Sequence, residues 1–576
     1  MHASGPNTAA CLAVDGDVVA FAEEERFIRK KLATDIIPVR ACEYCLREAS
    51  CSLSEVDSIN VSWDMNKYPD AMRDFFASAM NHPDKDEYSR NYEEISLRSK
   101  SPEFFSKRIE MALRRNGHHG RLPTINYMQH HKCHAVSVFY PSPFEEALIF
   151  CIDGSGEEQA TTIWRGKGND VELLHSHNLP NSLGYFYAAL TEYLGFSVFT
   201  GEGKVMGLAP YGNPDPTIRK KLDDMICIEG EGYRVNPEYI YFASRTYSFR
   251  HTDKLIDLLG QMPRKPESEI TQWHKNLAWE VQDKLERVVR HLIVQSINKY
   301  HIRNICIAGG VAMNCKMNGM VASMEEVDRC FVTPASNDAG GALGAALLPF
   351  KEQKNVREKA REFSVYSGPA FGEDEIMDCL KEAKITNYLV FGDDELYSRV
   401  GRDLSTGAIV GWFQGRMEVG PRALGNRSIL ADPSFPDMKD KINAEVKHRE
   451  GFRPFAPAIM AEHAADFFRI QTKAEYEPYH SWMLQAVLAE PGVEERIPAV
   501  VHVDRSIRPQ IVSASSNKRF YNLMNAFFNV SGLPVLLNTS FNVRGEPIVM
   551  TPEDALRCFF STGLDVLVIG NIYINK

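Results

Sequence analysis

The chain has 576 residues, of which 44% are hydrophobic and 24% charged, and acidic residues outnumber basic ones by 76 to 65. These values are typical of a globular protein of roughly three to four domain equivalents, and they exclude a disordered, collagenous or purely coiled-coil chain. The net charge of -11 argues against a surface that coats nucleic acid, so we expect no nucleic-acid partner and local binding of any anion.

The same composition bears on location and redox state. The uncharged run at 339–350 is too short and too rich in glycine and alanine to cross a bilayer, which takes about 20 apolar residues, so no transmembrane helix is expected. The first 15 residues lack the basic start and apolar stretch of a secretory signal, which favours a cytoplasmic protein without a membrane partner. Cys42 and Cys45 form a lone C-x-x-C, which we interpret as a packing feature of a helix with reduced thiols.

The predicted elements begin with two hairpins. In the first, at 9–25, two apolar runs flank Asp15-Gly16, the residue pair that a tight primed turn requires. In the second, at 147–164, Asp153-Gly154 stands between an apolar strand and a strand rich in threonine and isoleucine, so the two hairpins form a weak internal repeat. The continuous apolar run at 147–152 predicts a strand buried on both faces, with helices above and below the sheet.

Helices and strands then alternate up to a boundary. A long helix is predicted at 270–299, followed by strand-to-glycine junctions at 304–314 and 329–344 that each lead into a helix of small residues. This alternation predicts an α/β domain. The charged stretch at 351–362 and the linker composition at 367–372 mark its end, and we divide the chain into 1–362 and 363–576.

The pattern restarts beyond this boundary. Strands are predicted at 408–413, 533–537 and 564–569. The helix before the last strand has Thr551 as N-cap and Pro552 at its first position, with two acidic residues in the first turn. The second domain is therefore also predicted to be α/β.

A set of nitrogen and oxygen ligands is the clearest chemical signal of the first domain. His130 and His134, in QHHKCHA at 129–135, stand four apart and share one face of a helix, while His131 points elsewhere. Asp153 ends an apolar strand and Asp338 stands at another strand-to-helix junction. Two imidazoles and two carboxylates suit Fe(II), Mn or Zn rather than Ca, although each aspartate taken alone equally fits a turn or a helix cap.

Phosphate-binding candidates in this domain are glycine-rich turns, since neither a Walker A loop nor a G-x-G-x-x-G fingerprint occurs. Glycine lets a phosphate approach backbone N–H groups, and a lysine or an amide adds to the binding. Taken in isolation, such turns fit plain connections between elements better than a ligand site. The candidates are Gly154, Gly203, Lys204, Gly309, Gly310 and Asn314.

The second domain supplies cations. Arg422 and Arg427 lie in a loop rich in glycine and proline, where a guanidinium can grip phosphate or carboxylate bidentately. On or beside a helix, the chain then has Lys447, Arg449 and Arg453. For about half of these cations, pairing with nearby acidic residues at the surface explains their presence without a ligand. The loop at 538–547 has the composition of a polar pocket, and its Ser540 lacks the G-x-S-x-G setting of a nucleophile.

Eight motifs, in order over nearly the whole chain, carry a resemblance to a known family: EEERFIRKK, QHHKCHA, CIDGSGEE, GEGKVMGLA, AGGVAMN, EVGPRALGNRSIL, VKHREGFRPFAP and LNTSFNVRGEPIV. The chain resembles the O-carbamoyltransferases of the nodulation and antibiotic-tailoring type. The resemblance implies an actin/sugar-kinase-type domain of the ATPase superfamily, with two lobes, at 1–362. It implies a YrdC-like α/β domain at 363–576.

The family also implies a reaction. The YrdC-like domain of such enzymes makes carbamoyl-adenylate from carbamoyl phosphate and ATP, with Mg²⁺ accompanying the nucleotide. The other domain, which holds Fe²⁺ or another divalent metal, passes the carbamoyl group to a hydroxyl of a small natural product. An alcohol is a poor nucleophile, so the carbamoyl carbon needs a good leaving group whose charge is neutralised as it departs.

The resemblance assigns roles by position. His130, His134, Asp153 and Asp338 match the metal ligands. The residues that line the carbamoyl-phosphate and ATP site are Arg422, Lys447, Arg453, Arg508 and Ser540, with Arg427, Asn538 and Arg544 as neighbours by motif.

One departure concerns a histidine near the start of the chain. Relatives carry a His-Asp pair where this chain has Pro6-Asn7, so the family's N-terminal histidine has no equivalent at that position. We expect His2 to lie too far upstream to take its role. This leaves either a misassigned start or a substitute group, for which His131 is the candidate.

Several alternatives stay open at the level of sequence. The acceptor is an aminoglycoside, a macrolide or ansamycin, a nodulation oligosaccharide or a guanidinium toxin, and a homodimer is one of the open oligomeric states. A tRNA threonylcarbamoyl-type enzyme is a second candidate function, which the acidic charge disfavours. A non-enzymatic nucleotide-binding module is a third.

Overall fold

The computed structural model describes residues 1–78, 87–242, 250–470 and 479–576. The chain forms two compact units, each built from two segments. The first unit contains Met1–Glu24 and Ala33–Phe363, and the second contains Glu25–Leu32 and Ser364–Lys576. Among the described helices, none has the length and hydrophobicity needed to cross a membrane.

The strands of the first unit are β1 Ala9–Val14, β2 Asp17–Glu23, β3 Ser58–Val61, β4 Thr124–Tyr127, β5 Glu146–Gly156, β6 Gln159–Lys167, β7 Asp170–Asn178, β8 Ile226–Glu229, β9 Gly232–Val235, β10 Asn304–Ala308 and β11 Arg329–Phe331. Its helices, after α1 Glu24–Ile28 that leads out of it, are α2 Val39–Glu48, α3 Tyr68–Ser78, α4 Glu87–Ser99, α5 Pro102–Arg115, α6 His130–Phe139, α7 Leu183–Tyr193, α8 Glu202–Leu208, α9 Pro216–Met225, α10 Asp253–Leu259, α11 Gln272–Tyr300, α12 Cys315–Ala322, α13 Ala339–Leu347 and α14 Val356–Arg361.

A five-stranded sheet with the order β11-β10-β5-β6-β7 organises this unit. Strands β5, β6 and β7 form an antiparallel meander, while β10 runs parallel to both β5 and β11. The first half of β5 is buried on both faces, as its continuous apolar run predicts. Helices α6 and α7 pack on it. The predicted α/β class is confirmed.

The two predicted hairpins both form, but only the first turns where the sequence indicates. Asp15 and Gly16 have φ angles of 51° and 89°, the positive pair that a type I′ turn requires. In the second hairpin β5 continues through Asp153 to Gly156, and the turn lies at residues 157–158, where Glu157 has a φ of 48°. The prediction of a turn at Asp153-Gly154 is therefore wrong, because β5 continues through this pair and only its pairing with β6 is irregular there.

The second unit has strands β12 Leu389–Val390, β13 Val410–Phe413, β14 Arg427–Ala431, β15 Ala456–Met460, β16 Val487–Leu488, β17 Ser506–Ile507, β18 Gln510–Val512, β19 Val535–Ser540, β20 Val566–Ile569 and β21 Ile572–Asn575. Its helices are α15 Glu373–Glu382, α16 Asp393–Ser405, α17 Met438–Ile442, α18 Ala464–Phe467, α19 Val493–Arg496, α20 Lys518–Ser531 and α21 Pro552–Phe560. Eight strands form one mixed sheet in the order β12-β21-β20-β13-β14-β19-β15-β18. Helix α21 starts as predicted, since the Thr551 side chain accepts a hydrogen bond from the backbone N–H of Asp554 at 3.2 Å.

The segment 25–32 is fixed to the second unit by named contacts. Arg26 donates to the backbone oxygen of Gly420 at 2.8 Å, and Arg29 donates to that of Ile548 at 2.7 Å. Phe27 packs against the small apolar cluster that contains Ile548. The boundary predicted from the sequence places this segment in 1–362. Eight residues that belong to the other unit are too few to change the local composition, so the sequence does not reveal them.

Candidate metal centre and anion site

Helix α6 carries the two histidines that the sequence singles out. It begins at His130, and both His130 and His134 are fully buried. The Nδ1 atom of His130 donates to the backbone oxygen of Ser62 at 2.9 Å, which leaves Nε2 as the free nitrogen of the ring. The two Nε2 atoms lie 3.1 Å apart, so the four-residue spacing does place both imidazoles on one face.

Two carboxylates complete the cluster. Asp153 Oδ2 is 3.3 Å from His134 Nε2 and 3.8 Å from His130 Nε2, and Asp338 Oδ1 is 3.6 and 3.7 Å from the same two atoms. One ligand atom from each of the four side chains lies within 4.8 Å of every other. The chain thus brings its four predicted metal ligands into one buried group, from α6, β5 and the start of α13.

The geometry of this group fits a divalent cation. Two metal–nitrogen bonds of about 2.1 Å at a right angle separate their nitrogens by about 3.0 Å, close to the 3.1 Å observed. Asp153 Oδ2 is buried without a well-formed hydrogen bond among the described residues. Burial and the neighbouring charge of Asp153 raise the pKa of Asp338. Burial also favours a higher pKa for Asp153, but the neighbouring imidazoles of His130 and His134 hold this pKa well below its ordinary value.

Close packing of α13 on α6 explains why small residues lead into and through α13. A Cβ on Gly340 would lie 2.0 Å from the backbone oxygen of Ala335, and one on Gly344 would lie 1.9 Å from that of Cys133. Only glycine fits at such an approach. Because Asp338 immediately precedes α13, this approach also brings its carboxylate to the histidines of α6.

His2 lies beside the cluster, so the expectation that it is too far upstream is wrong. Its backbone pairs with Ala9 in both directions, at 2.9 and 3.0 Å, which folds the first residues back along β1. The ring is fully buried, with Nδ1 3.0 Å from Ser62 Oγ and Nε2 3.7 Å from Asp338 Oδ2. A single histidine near the start of a chain belongs to no periodic pattern, so no local rule predicts this position.

His131 faces the sheet instead. Its Nδ1 lies 2.9 Å from Thr162 Oγ1 on β6, and burial lowers the pKa of His131 well below its ordinary value. Its ring centre is 5.8 Å from that of His130 and 6.3 Å from that of His134. The prediction that His131 points away from the metal ligands is confirmed, and this placement gives no support to a role as the acceptor's base.

The glycine candidates divide into two groups. Gly154 follows Asp153 directly, and Gly310 lies close to the same carboxylate, since a Cβ there would be 3.1 Å from Asp153 Oδ1. Gly309 has a φ of 90°, and its missing Cβ would lie 2.3 Å from the backbone oxygen of Ile152. These three glycines therefore adjoin the cluster.

The remaining candidates of the first unit lie elsewhere. Gly203 and Lys204 are on α8, where Lys204 Nζ stands 5.3 Å from the centre of the Phe196 ring. The Asn314 side chain caps α12 by accepting from Met317 N at 3.0 Å, and it also donates to Gln282 at 2.9 Å. Asn314 therefore stabilises the start of a helix.

In the second unit, the buried Lys447 and several half-buried arginines converge. Lys447 Nζ donates to the backbone oxygen of Ser540 and, at 3.0 and 2.9 Å, to the backbone and side-chain oxygens of Asn542. Burial, and then the positive charge of Arg449, holds the pKa of Lys447 well below its ordinary value. Burial likewise lowers the pKa of Arg449 and that of Arg453, and each is lowered further by Arg508.

The acidic partner of this cluster is Glu450, which lies 3.9 Å from both Arg453 and Arg544. Lys31, from the segment 25–32, adds a positive charge that lowers the pKa of Lys447 further. No local pattern in the sequence predicts this contribution. We call Lys447, Arg449, Arg453, Arg508 and Arg544 the cation cluster. Lys447 is buried, Arg449, Arg453 and Arg508 are half-buried, and Arg544 is exposed. Like charges held together in this way favour binding of a polyanion.

Arg427 has a different place from the one predicted. It is fully buried on the Phe413 ring, 3.7 Å from its centre, and its terminal nitrogens donate to the backbone oxygens of Gln414, Gly415, Asn426 and Pro369. Both nitrogens are thus committed to main-chain oxygens. We place Arg427 among the residues that shape this loop, and not among those that contact a ligand.

The same loop is held from two further sides. Glu418 Oε1 accepts from the backbone N–H groups of Leu424, Asn426 and Arg427 at 2.7–3.0 Å. Asn538 donates to the backbone oxygen of Ala423 at 3.3 Å, so this predicted ligand residue also fixes the loop. The half-buried Arg422 lies in the segment that these contacts hold.

Comparisons with known proteins identify the family of this chain. The model described as Carbamoyltransferase N-terminus matches residues 2–347, and that described as Carbamoyltransferase C-terminus matches residues 401–576. The uncharacterized protein sll1178 of Synechocystis is 37% identical over 609 residues, covering 99% of this chain and 95% of the relative. Nodulation protein NolNO of Sinorhizobium fredii is 36% identical over 578 residues (99% and 80%), and nodulation protein NolO of Bradyrhizobium diazoefficiens is 38% identical over 451 residues (78% and 79%). The chain therefore belongs to the carbamoyltransferase family, as its ordered motifs predict.

Proposed function

We propose that this carbamoyltransferase makes carbamoyl-adenylate from carbamoyl phosphate and ATP in its second unit and transfers the carbamoyl group to a hydroxyl of a small natural product in its first. The cation cluster is the observation that carries the proposal. Carbamoyl phosphate and ATP are both polyanions, and clustered cations whose pKa values are lowered by desolvation and mutual repulsion gain most from binding such ligands. On this proposal 363–576, together with 25–32, is the YrdC-like domain.

The reaction balances with one water. Hydrolysis of carbamoyl phosphate gives carbamate and inorganic phosphate, and a carbamate oxygen then displaces pyrophosphate from the α-phosphorus of ATP. Arginine forks in the cation cluster hold the departing oxygens, whose negative charge grows as the bonds break. Mg²⁺ travels with the nucleotide as part of the co-substrate.

The second step belongs to the first unit. The acceptor hydroxyl attacks the carbamoyl carbon, AMP leaves, and the hydroxyl proton passes to a base. His130, His134, Asp153 and Asp338 would hold Fe²⁺ or another divalent cation, which supplies a positive charge that orients the adenylate and stabilises the leaving phosphate. The glycines next to Asp153 leave room for a phosphate to approach the backbone.

Separate assays of the two half-reactions test this division. Pyrophosphate release from ATP in the presence of carbamoyl phosphate reports the first, and the mass gain of a carbamoyl group on a panel of hydroxylated metabolites reports the second. We expect Asp338→Ala to abolish transfer while pyrophosphate release continues, and Arg453→Met to abolish pyrophosphate release. Equal loss of both half-reactions in folded Asp338→Ala, or pyrophosphate release that persists in folded Arg453→Met, would refute the division. Arg453→Met should lose transfer as well, because transfer consumes the adenylate.

Matched substitutions outside both sites serve as controls. His291 is on α11, where its ring bonds to the backbone oxygen of Gly230 at 2.9 Å, so His291→Ala should leave transfer intact. Arg496 stacks on Phe467 at 4.2 Å in the second unit, so Arg496→Met should leave pyrophosphate release intact. Metal content, measured by elemental analysis, should fall in Asp338→Ala and stay at the wild-type level in both controls.

A further inference from the structure

Arg250 of the first unit is a buried arginine whose side chain makes no hydrogen bond to any described residue. It is only 1% exposed, and none of its Nε, Nη1 and Nη2 atoms has a hydrogen-bond partner among the described residues. Its guanidinium carbon lies 3.9 Å from the centre of the Tyr185 ring and 5.5 Å from that of Phe199. Its backbone N–H donates to Glu192 at 2.7 Å, so the residue itself is firmly placed.

A second buried arginine of this unit shows what a purely structural guanidinium looks like. Arg264 is 8% exposed and stacks on Phe196 at 4.9 Å. Its nitrogens donate to the backbone oxygens of Leu194, Gly195 and Ser268, at 2.6, 3.4 and 2.5 Å. Stacking on a ring offsets only part of the cost of burying a guanidinium, and Arg264 makes up the rest with hydrogen bonds. Arg250 has the ring without the bonds.

The ring under Arg250 touches the metal-binding strand. A Cβ on Gly154 would lie 2.6 Å from Tyr185 Cε1, so the ring lies directly against the backbone that follows Asp153. The Tyr185 hydroxyl is also 2.8 Å from Ser155 Oγ. One aromatic ring therefore separates the guanidinium of Arg250 from the strand that carries a proposed metal ligand.

We propose that Arg250 is the anion-binding residue of the first unit, and that its guanidinium receives a phosphoryl or carboxylate group of a ligand held at the cluster of His130, His134, Asp153 and Asp338. A rigid fork of five N–H donors matches either group bidentately. The source of the anion rests on the proposed function, which supplies the phosphoryl group of the adenylate. A carboxylate or phosphate of the acceptor is the other source of the same chemistry.

The test compares Arg250→Met with Arg264→Met. Methionine keeps the apolar length of either side chain and removes every donor. Without ligand, Arg250→Met should be as stable as wild type or more so, because it removes a buried cation that makes no hydrogen bond to the described residues. Arg264→Met should be less stable, because it leaves three backbone oxygens without their donors. If Arg250→Met is destabilised as much as Arg264→Met, Arg250 is a structural residue and the proposal fails.

Calorimetric titration with AMP and adenosine then tests the ligand, in an Arg453→Met background that removes a cation of the second unit. We expect AMP to bind more tightly than adenosine, and Arg250→Met to reduce this preference roughly 10- to 100-fold while adenosine binding is unchanged. Inorganic phosphate and acetate are titrated separately. Dependence on Arg250 with AMP assigns the anion to the nucleotide, whereas dependence only with phosphate or acetate assigns it to the acceptor.

Binding of all four probes that is indifferent to Arg250 would overturn the inference. Failure of the proposed function is seen in a different measurement, the absence of pyrophosphate release and carbamoyl transfer in the wild-type protein, so the two outcomes are distinguishable.

Discussion

Adding one methyl group to α13 should disturb the metal centre from a distance. In Gly344→Ala the new Cβ would stand 1.9 Å from the backbone oxygen of Cys133 on α6, where an ordinary contact needs at least 3.4 Å. The two helices must therefore separate by about 1.5 Å, which is far more than the roughly 0.2 Å that a metal–ligand distance tolerates. Overpacking of this kind costs about 1–3 kcal/mol, against a gain of up to about 1 kcal/mol in helix propensity.

We expect a net loss of unfolding free energy and a loss of bound metal, because Asp338 leads directly into α13. Urea unfolding and elemental analysis of the purified variant measure the two effects. Gly203→Ala is the matched control, since it makes the same change in α8, where nothing lies within 4 Å of the new Cβ. It should stabilise by about 0.5–1 kcal/mol. Wild-type stability and metal content in Gly344→Ala would refute the close-packing argument.

Three further outcomes follow from the structure. Glu418→Ala leaves three backbone N–H groups without their acceptor, so its free energy of unfolding in urea should be about 3 kcal/mol lower than that of wild type. Glu418→Gln should restore part of this loss, and a loss below about 1 kcal/mol in Glu418→Ala would contradict the role of Glu418 in holding the loop. Burial lowers the pKa of His177 to about 4, so the folded protein favours the neutral ring. The free energy of unfolding therefore decreases as the pH falls from about 6.5, where the unfolded ring takes up a proton, towards 4. Between pH 8 and pH 5 wild type should lose about 2 kcal/mol more than His177→Gln, and equal losses would contradict the buried neutral ring. Near-saturating pyrophosphate should raise the melting temperature of wild type by about 5 °C and should raise that of Arg453→Met much less. Equal increases in the two proteins would show that the anion binds outside the cation cluster.

Local rules were sufficient for much of the fold. The turn at Asp15-Gly16, the cap at Thr551 and the long helix α11 each depend on residues within a few positions of one another, and all three form as predicted. The four-residue spacing of His130 and His134 is equally local, which explains why the sequence alone predicts that both side chains lie on one face of a helix.

Long-range placement explains what the sequence missed. His2 reaches the cluster only because its backbone pairs with Ala9, and Ser62 holds both His2 and His130 from a segment without any motif. Arg427 reads as a ligand-binding fork in the sequence, but the fold surrounds it with backbone oxygens, which no spacing rule reveals. Arg250 is the reverse case, since nothing in its local sequence marks an arginine that is buried without a hydrogen bond to the described residues.

The route of the chain through residues 25–32 limits how this protein can be dissected. A fragment that begins at Ser364 would lack the octapeptide, leaving the oxygens of Gly420 and Ile548 without their arginine donors and the site of Phe27 open to water. Truncation alone therefore cannot isolate the complete second unit, and a fragment of this kind calls for complementation by the missing peptide or a fusion that restores it. A chimera that exchanged only the residues from Ser364 onward would keep residues 25–32 of the other parent, so that octapeptide would have to match the second unit it joins.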